Sequence, residues 1–288
     1  MASKNRTQKG TIKLLIDGAS KLVKEGKLKE ALRVLTEALW HNPNDVHVRR
    51  ARAFVYAKMG RYDSAIRELE AAIRLTPHCS RCFYERGQAK MFSGRIQEAI
   101  EDFSTCLRLE PNFADAYSAR AGLYAKTGHY LKALKDITKA LSIKPTNPDY
   151  LHNRAVVLAG LKWYGLAIRD YLKVIHLRPN SAGSYNNLAW IYATAEDPAY
   201  RDCKKAIRYA QRALEMGRNP AWMDTLASAY AECGNFELAA QTEQEAYQLS
   251  SPPNPLFLKR AEIYKSRFTY DKWLHNRLNK AEGRNEHV

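Results

Sequence analysis

Prolines 43, 77, 111, 145 and 179 stand 34 residues apart. Eleven prolines in 288 positions make four further hits at one spacing a coincidence of about one in a million, so the chain is periodic. A period of this length constrains the fold strongly. Each period is one small supersecondary unit that buries its apolar face only by stacking on its neighbours.

With the proline set at position 32, the repeats begin at Ile12, Val46, Ser80, Ala114 and Pro148, and the other columns align. Small residues fill position 8 (Ala19, Ala53, Gly87, Ala121, Ala155) and position 20 (Ala31, Ala65, Ala99, Ala133, Ala167), where a bulky side chain would hold neighbouring helices apart. Bulky residues fill position 24 (Leu35, Leu69, Phe103, Ile137, Tyr171), and glycines 26, 60, 94 and 128 occupy position 15 between two stretches of helical apolar spacing. Each period therefore reads as helix, turn, helix. A sixth repeat from Ala182 reaches its position-20 alanine, Ala206, about five residues late, so its inter-helix turn is longer; a seventh from Pro220 restores the spacing. Tyr56, Tyr124, Tyr192 and Tyr230 share position 11, where Leu22, Lys90 and Leu158 depart from the aromatic.

These columns resemble the tetratricopeptide repeat, whose signature is small residues at 8, 20 and 27, aromatics near 4, 11 and 24, and proline at 32. The resemblance implies an all-α fold, an α-solenoid wound as a right-handed superhelix of about seven helix-turn-helix units plus a C-terminal capping helix. The expected boundaries are a basic tail over 1–11, units at 12–45, 46–79, 80–113, 114–147, 148–181, 182–219 and 220–253, and a capping helix with a basic tail over 254–288. Such arrays need their open end covered, and the amphipathic stretch LFLKRAEIYKSRF is suited to it.

A content of 45% hydrophobic and 26% charged residues is that of a folded chain. No apolar run approaches the roughly 18 to 20 residues that cross a bilayer, and the polar start lacks a secretion signal, so a cytoplasmic location is expected. The net charge of +16 favours acidic partners. It is uneven: residues 1–44 carry nine bases and four acids, residues 220–254 no base and five acids.

Five cysteines in a long chain are unlike a secreted disulfide scaffold, so reduced thiols are expected. Cys79 and Cys82 form a Cys-x-x-Cys pair behind His78, but Cys82 stands in a column held by Leu14, Val48 and Ala116, and Cys106 in one held by Ala38, Ala72 and Ala140. They read as small core fillers. The alternative, a structural zinc on His78, Cys79, Cys82 and Cys106, requires the first helix to bend toward the second; no metal and no cofactor are expected.

Arg52, Arg86, Arg120 and Arg154 recur at position 7, each sixteen residues before Glu68, Asp102, Asp136 or Asp170. The spacing predicts an ion pair between the two helices of each repeat, with a phosphate ladder as the alternative. The family builds its concave surface mainly from positions 2, 5, 6, 9, 12 and 13, and the resemblance places two clusters there. Lys24, Arg50, Phe54, Lys58, Arg81, Tyr84, Gln88 and Phe92 set cations beside aromatics, which suits an acidic peptide with an apolar side chain. His152, Asn153, Asn186, Asn187 and Trp190 form the second, where Asn153 and Asn187 offer amides to an extended ligand backbone; a plain solvated surface stays open for both. The lysine and asparagine clamp that some family members use for a chaperone tail is missing from any three consecutive repeats.

No phosphate-binding glycine loop, metal-spaced histidine pair or nucleophile motif is present, so no catalytic residue is expected. The expected function is a non-enzymatic scaffold or adaptor that holds a partner peptide or helix in its groove. Nucleic-acid binding by the basic surface, and self-association of the acidic seventh unit with basic N-terminal units of another copy, are the alternatives.

Overall fold

The computed structural model describes residues 2–267, with side chains from Ile12 onward. Two compact modules divide between Pro145 and Thr146. In the N-terminal module α1 (Ala2–Lys24) pairs with α2 (Leu28–His41), α3 (Val46–Lys58) with α4 (Tyr62–Leu75), α5 (Ser80–Phe92) with α6 (Ile96–Leu109), and α7 (Ala114–Lys126) with α8 (Tyr130–Ile143). In the C-terminal module α9 (Pro148–Gly160) pairs with α10 (Tyr164–Leu177), α11 (Ala182–Thr194) with α12 (Cys203–Glu215), and α13 (Pro220–Glu232) with α14 (Phe236–Leu249). A further helical segment covers 255–267, and no strand occurs among the described residues. The fold is all-α, a stack of helical hairpins in each module.

The columns explain these elements. The five early prolines each follow the C-cap of a second helix, at Asn42, Thr76, Glu110, Lys144 and Arg178, where a ring without an N–H stops the helix. Glycines 26, 60, 94, 128 and 234 turn the chain at positive φ; in the fifth hairpin Lys162 takes that position at φ 62. The position-20 alanines 31, 65, 99, 133 and 167 are fully buried, and Leu35, Leu69, Phe103, Ile137 and Tyr171 fill the centre of each hairpin. In the sixth hairpin the lengthened turn carries a 3₁₀ segment, Pro198–Tyr200, and Asp202 caps α12 by accepting from Lys205 N at 3.0 Å.

Phe257 of the last helical segment packs with Met223 and Ala246, and Ala261 is buried, so this segment covers the end of the seventh hairpin. The stretch expected as a basic N-terminal tail is helical from Ala2. The basic tail expected beyond the last helix falls on 268–288, outside the described residues.

Candidate functional site

Two adjoining clefts open in the N-terminal module, with volumes of about 800 Å³ and 390 Å³. The larger is lined by Lys24 of α1 and by Arg50, Phe54 and Lys58 of α3; the smaller by the same three α3 residues with Tyr62 of α4 and Gln88 and Phe92 of α5. Repeat geometry puts them together, because positions 5, 9 and 13 lie one turn apart on one face of a helix. Phe54 is 53% exposed and Phe92 62%, and Tyr62 stacks on Phe92 with centroids 5.9 Å apart. Lys58 Nζ stands 5.5 Å from the Phe54 centroid.

Six of the eight expected N-terminal residues line these clefts, whereas Arg81 and Tyr84 do not. Tyr84 packs between Phe103 and Phe113 at 5.8 and 4.8 Å, accepts from Gln88 Nε2 at 3.0 Å, and has its phenol pushed up to about 12 by burial. The Arg81 guanidinium lies over the Tyr84 and Phe113 rings.

Glu85, which the sequence reading left out of the cluster, touches both clefts. It accepts from Arg50 Nε and Nη2 at 2.8 and 2.6 Å and from Arg81 Nε at 3.0 Å. One carboxylate thus offsets part of two arginine charges. Lys24 and Lys58 form no ion pair among the described residues, so they carry the positive character that faces the clefts.

In the C-terminal module His152 Nδ1 is 2.8 Å from Ser184 Oγ, its ring meets Tyr171 edge-on at 5.5 Å, and burial lowers its pKa, which favours the neutral ring. Asn187 Nδ2 donates to Tyr171 OH at 3.2 Å and Asn186 Nδ2 to Asn187 Oδ1 at 3.5 Å. Asn187 is therefore turned onto Tyr171 of the preceding hairpin, and Asn153 also has an interaction within the protein. Trp190 lines a separate cleft of about 310 Å³ with Thr194, Asp224, Ser228 and Arg260. Asp224 accepts a hydrogen bond from Arg260.

The position-7 arginines are structural. Arg86 holds Asp102 through Nε and Nη2 at 2.9 and 2.6 Å, Arg120 holds Asp136 at 2.7 and 2.8 Å, Arg154 holds Asp170 at 2.6 and 2.9 Å, and Arg52 reaches Glu68 at 2.6 Å. The three aspartates are buried, so no phosphate ladder faces solvent. Lys90, which breaks the position-11 aromatic column, is buried too and lies 3.0 Å from Asp102.

The cysteines depart from expectation. Cys79 and Cys82 are joined by a disulfide, and so are Cys203 and Cys233; Cα separations of 5.3 Å bring each pair within bridging reach. Reduced thiols were expected at these four positions, and only Cys106 is free. Its thiol is pushed up to about 12 by burial, then by Glu110, with Arg81 opposing. A sulfur spent on a disulfide is no thiolate ligand, which takes the zinc alternative away from Cys79 and Cys82. The second bridge depends on the longer sixth turn, which delivers Cys203 at the start of α12 beside the C-cap of α13.

No described helix is long and apolar enough to cross a membrane. No curated protein sequence matches the chain. Among solved structures, a tetratricopeptide repeat protein from Parabacteroides merdae is similar over 90% of this chain and 98% of its own, with 17% identity and a TM-score of 0.66. The Cut9–Hcn1 assembly of APC/C gives 0.71 at 17% identity over 84% of this chain and 48% of that one. MamA gives 0.50 at 23% identity over 60% and 94%. At these identities the likeness is one of fold. Two tetratricopeptide-repeat family models match residues 22–81 and 84–148, so this part of the chain is built of tetratricopeptide repeats, and the same helical hairpin continues through α14.

Proposed function

We propose that the protein is a non-enzymatic interaction scaffold whose N-terminal clefts hold an acidic peptide segment bearing an apolar side chain. The observation that carries this reading is the pair of exposed rings, Phe54 and Phe92, in continuous clefts with Lys24 and Lys58. Large apolar side chains left in water within a concave, preformed site mark contact surfaces. The lysines would draw an acidic segment in, and ring burial would hold it. The arginines add less, because Glu85 engages both. A cytoplasmic adaptor role belongs to the same reading.

Fluorescence anisotropy with acidic peptides, each with one Leu or Phe, tests it on the full chain. Lys24→Glu with Lys58→Glu should weaken binding at least tenfold, a loss of about 1.4 kcal/mol or more, and flatten its salt dependence. Phe54→Ala with Phe92→Ala should weaken it at unchanged salt dependence. Peptide binding indifferent to both pairs would sink the proposal, and steeply salt-dependent capture of single-stranded nucleic acid in its place would favour the basic-surface alternative.

A further inference from the structure

Cys79 is the N-cap of α5, and its sulfur accepts the backbone N–H of Cys82 at 3.2 Å. The equivalent caps of α3, α9 and α13 are Asp45, Asn147 and Asn219, whose side-chain oxygens accept first-turn amides, Val48 N and Tyr150 N at the corresponding place and Ala221 N one residue earlier. Sulfur is a weak acceptor, so a cysteine is a poor choice if capping is the only task. It becomes a good choice when the sulfur is a thiolate, since the positive end of a helix stabilises an anion there.

We propose that Cys79 and Cys82 are a thiol–disulfide exchange site that passes two electrons to and from partner dithiols. The pair is asymmetric: Cys82 is 0% exposed, whereas Cys79 is only partly buried and is the sulfur a partner can reach. No acidic residue stands in the first turn of α5, and Arg81 adds a cation there. Glu110, held by Ser80 Oγ at 2.7 Å, and Glu85, which accepts from Arg81 Nε at 3.0 Å, are the anions beside this turn and oppose them. Both cysteines lie within one helical turn, so opening the bond releases no neighbouring helix.

The other bridge is the internal contrast. Cys203 follows Asp202, whose carboxylate already occupies the N-cap of α12, and Cys233 caps the C-terminus of α13, the negative end of the helix. The capping Asp202 carboxylate opposes a thiolate at Cys203, although that residue opens α12 beside Lys204 and Lys205, and the negative end of α13 disfavours one at Cys233. That bridge also ties α12 to α13, so it reads as a staple.

In the forward direction a partner thiolate attacks Cys79 Sγ and the Cys79–Cys82 bond breaks. Its electron pair leaves on Cys82 Sγ, which takes a proton from water. The partner's second thiolate then attacks its own sulfur in the mixed disulfide and releases Cys79 as thiolate. The partner dithiol becomes a disulfide, losing two electrons to this pair and its two protons to water; the pair takes one proton from water on Cys82 and leaves Cys79 as thiolate, and the reverse sequence reoxidises it.

The test uses the aerobically purified full chain. Timed exposure to limiting dithiothreitol, acid quenching, alkylation and peptide mass spectrometry follow each cysteine. Cys79 and Cys82 should be alkylated at least tenfold faster than Cys203 and Cys233, with the helical circular dichroism unchanged. In a Cys82→Ser variant, oxidised glutathione should accumulate on Cys79. Opening no faster than Cys203–Cys233, free thiols at 79 and 82 in the aerated protein, or loss of helical signal on opening would each overturn the proposal. The wild-type rates decide it even if the Cys82 variant folds badly.

Discussion

The third and seventh hairpins share one column plan and fill it with opposite chemistry. At position 24 the third buries Phe103 and the seventh buries Glu243, each at 0% exposure. At positions 7 and 23 the third sets Arg86 on Asp102, while the seventh has Leu226 and Thr242. At position 11 the third has buried Lys90 and the seventh Tyr230. In the third, the charges cluster and satisfy one another around an apolar centre. In the seventh, the centre itself holds a carboxyl with both oxygens unpartnered, and burial pushes it up to about 7. The period thus fixes volume at each column more firmly than polarity, and the two hairpins should respond to opposite perturbations.

The largest expected effect comes from breaking the third hairpin's cluster. Asp102 is the shared acceptor of Arg86 and Lys90, so Asp102→Ala leaves two largely buried cations without it. Removing one partner of such a pair costs about 3–5 kcal/mol, far more than the pair itself adds. Urea unfolding followed by circular dichroism measures it. A loss near zero would mean that water replaces the carboxylate and that the cluster is not a distinguishing feature.

Glu243 provides the opposite case. Its folded-state pKa is raised from 4.5 to about 7, so between those values the folded chain keeps a proton that the unfolded chain has released. Stability from this group therefore falls as pH rises through that window and levels off above it, a loss on the order of 3 kcal/mol. Leucine already fills this column in the first two hairpins. Glu243→Leu should raise stability at pH 8 by about that amount, less at pH 4.5, and remove the slope between them. Equal urea midpoints for the variant and the wild type at pH 8 would show that the carboxyl finds water or a partner in solution.

This contrast also marks how far the sequence could be read. Hairpins, turns and the position-7 pairs were legible because each recurs at one spacing, so that Arg120 and Asp136 predict Arg86 and Asp102. Six cleft residues were legible once the family's concave positions were laid on α1, α3 and α5. Glu85 stands at position 6, itself one of those concave positions, but its part in the cleft was not legible, because its bonds to Arg50 span neighbouring repeats, a relation that no single-repeat column encodes. The Cys203–Cys233 bridge was hidden by the lengthened sixth turn, which takes Cys203 out of register. For Cys79, the apolar column around Cys82 pointed to filler, while the N-cap role became visible only with the backbone in place.

The smallest effect probes volume directly. Position 8 is alanine in the other six hairpins but Gly87 in the third, opposite Phe103. A Cβ on Gly87 would stand 2.8 Å from a ring carbon of Phe103, so this fully buried ring would have to shift. Gly87→Ala gains helix propensity of about 1 kcal/mol but forces overpacking that costs about 1–3 kcal/mol, so the net change is a modest loss. Phe103→Leu made together with Gly87→Ala restores the Ala/Leu combination of the second hairpin and should recover most of it. If Gly87→Ala instead stabilises the chain, the ring moves freely, and the third hairpin's centre is looser than its fully buried Phe103 implies.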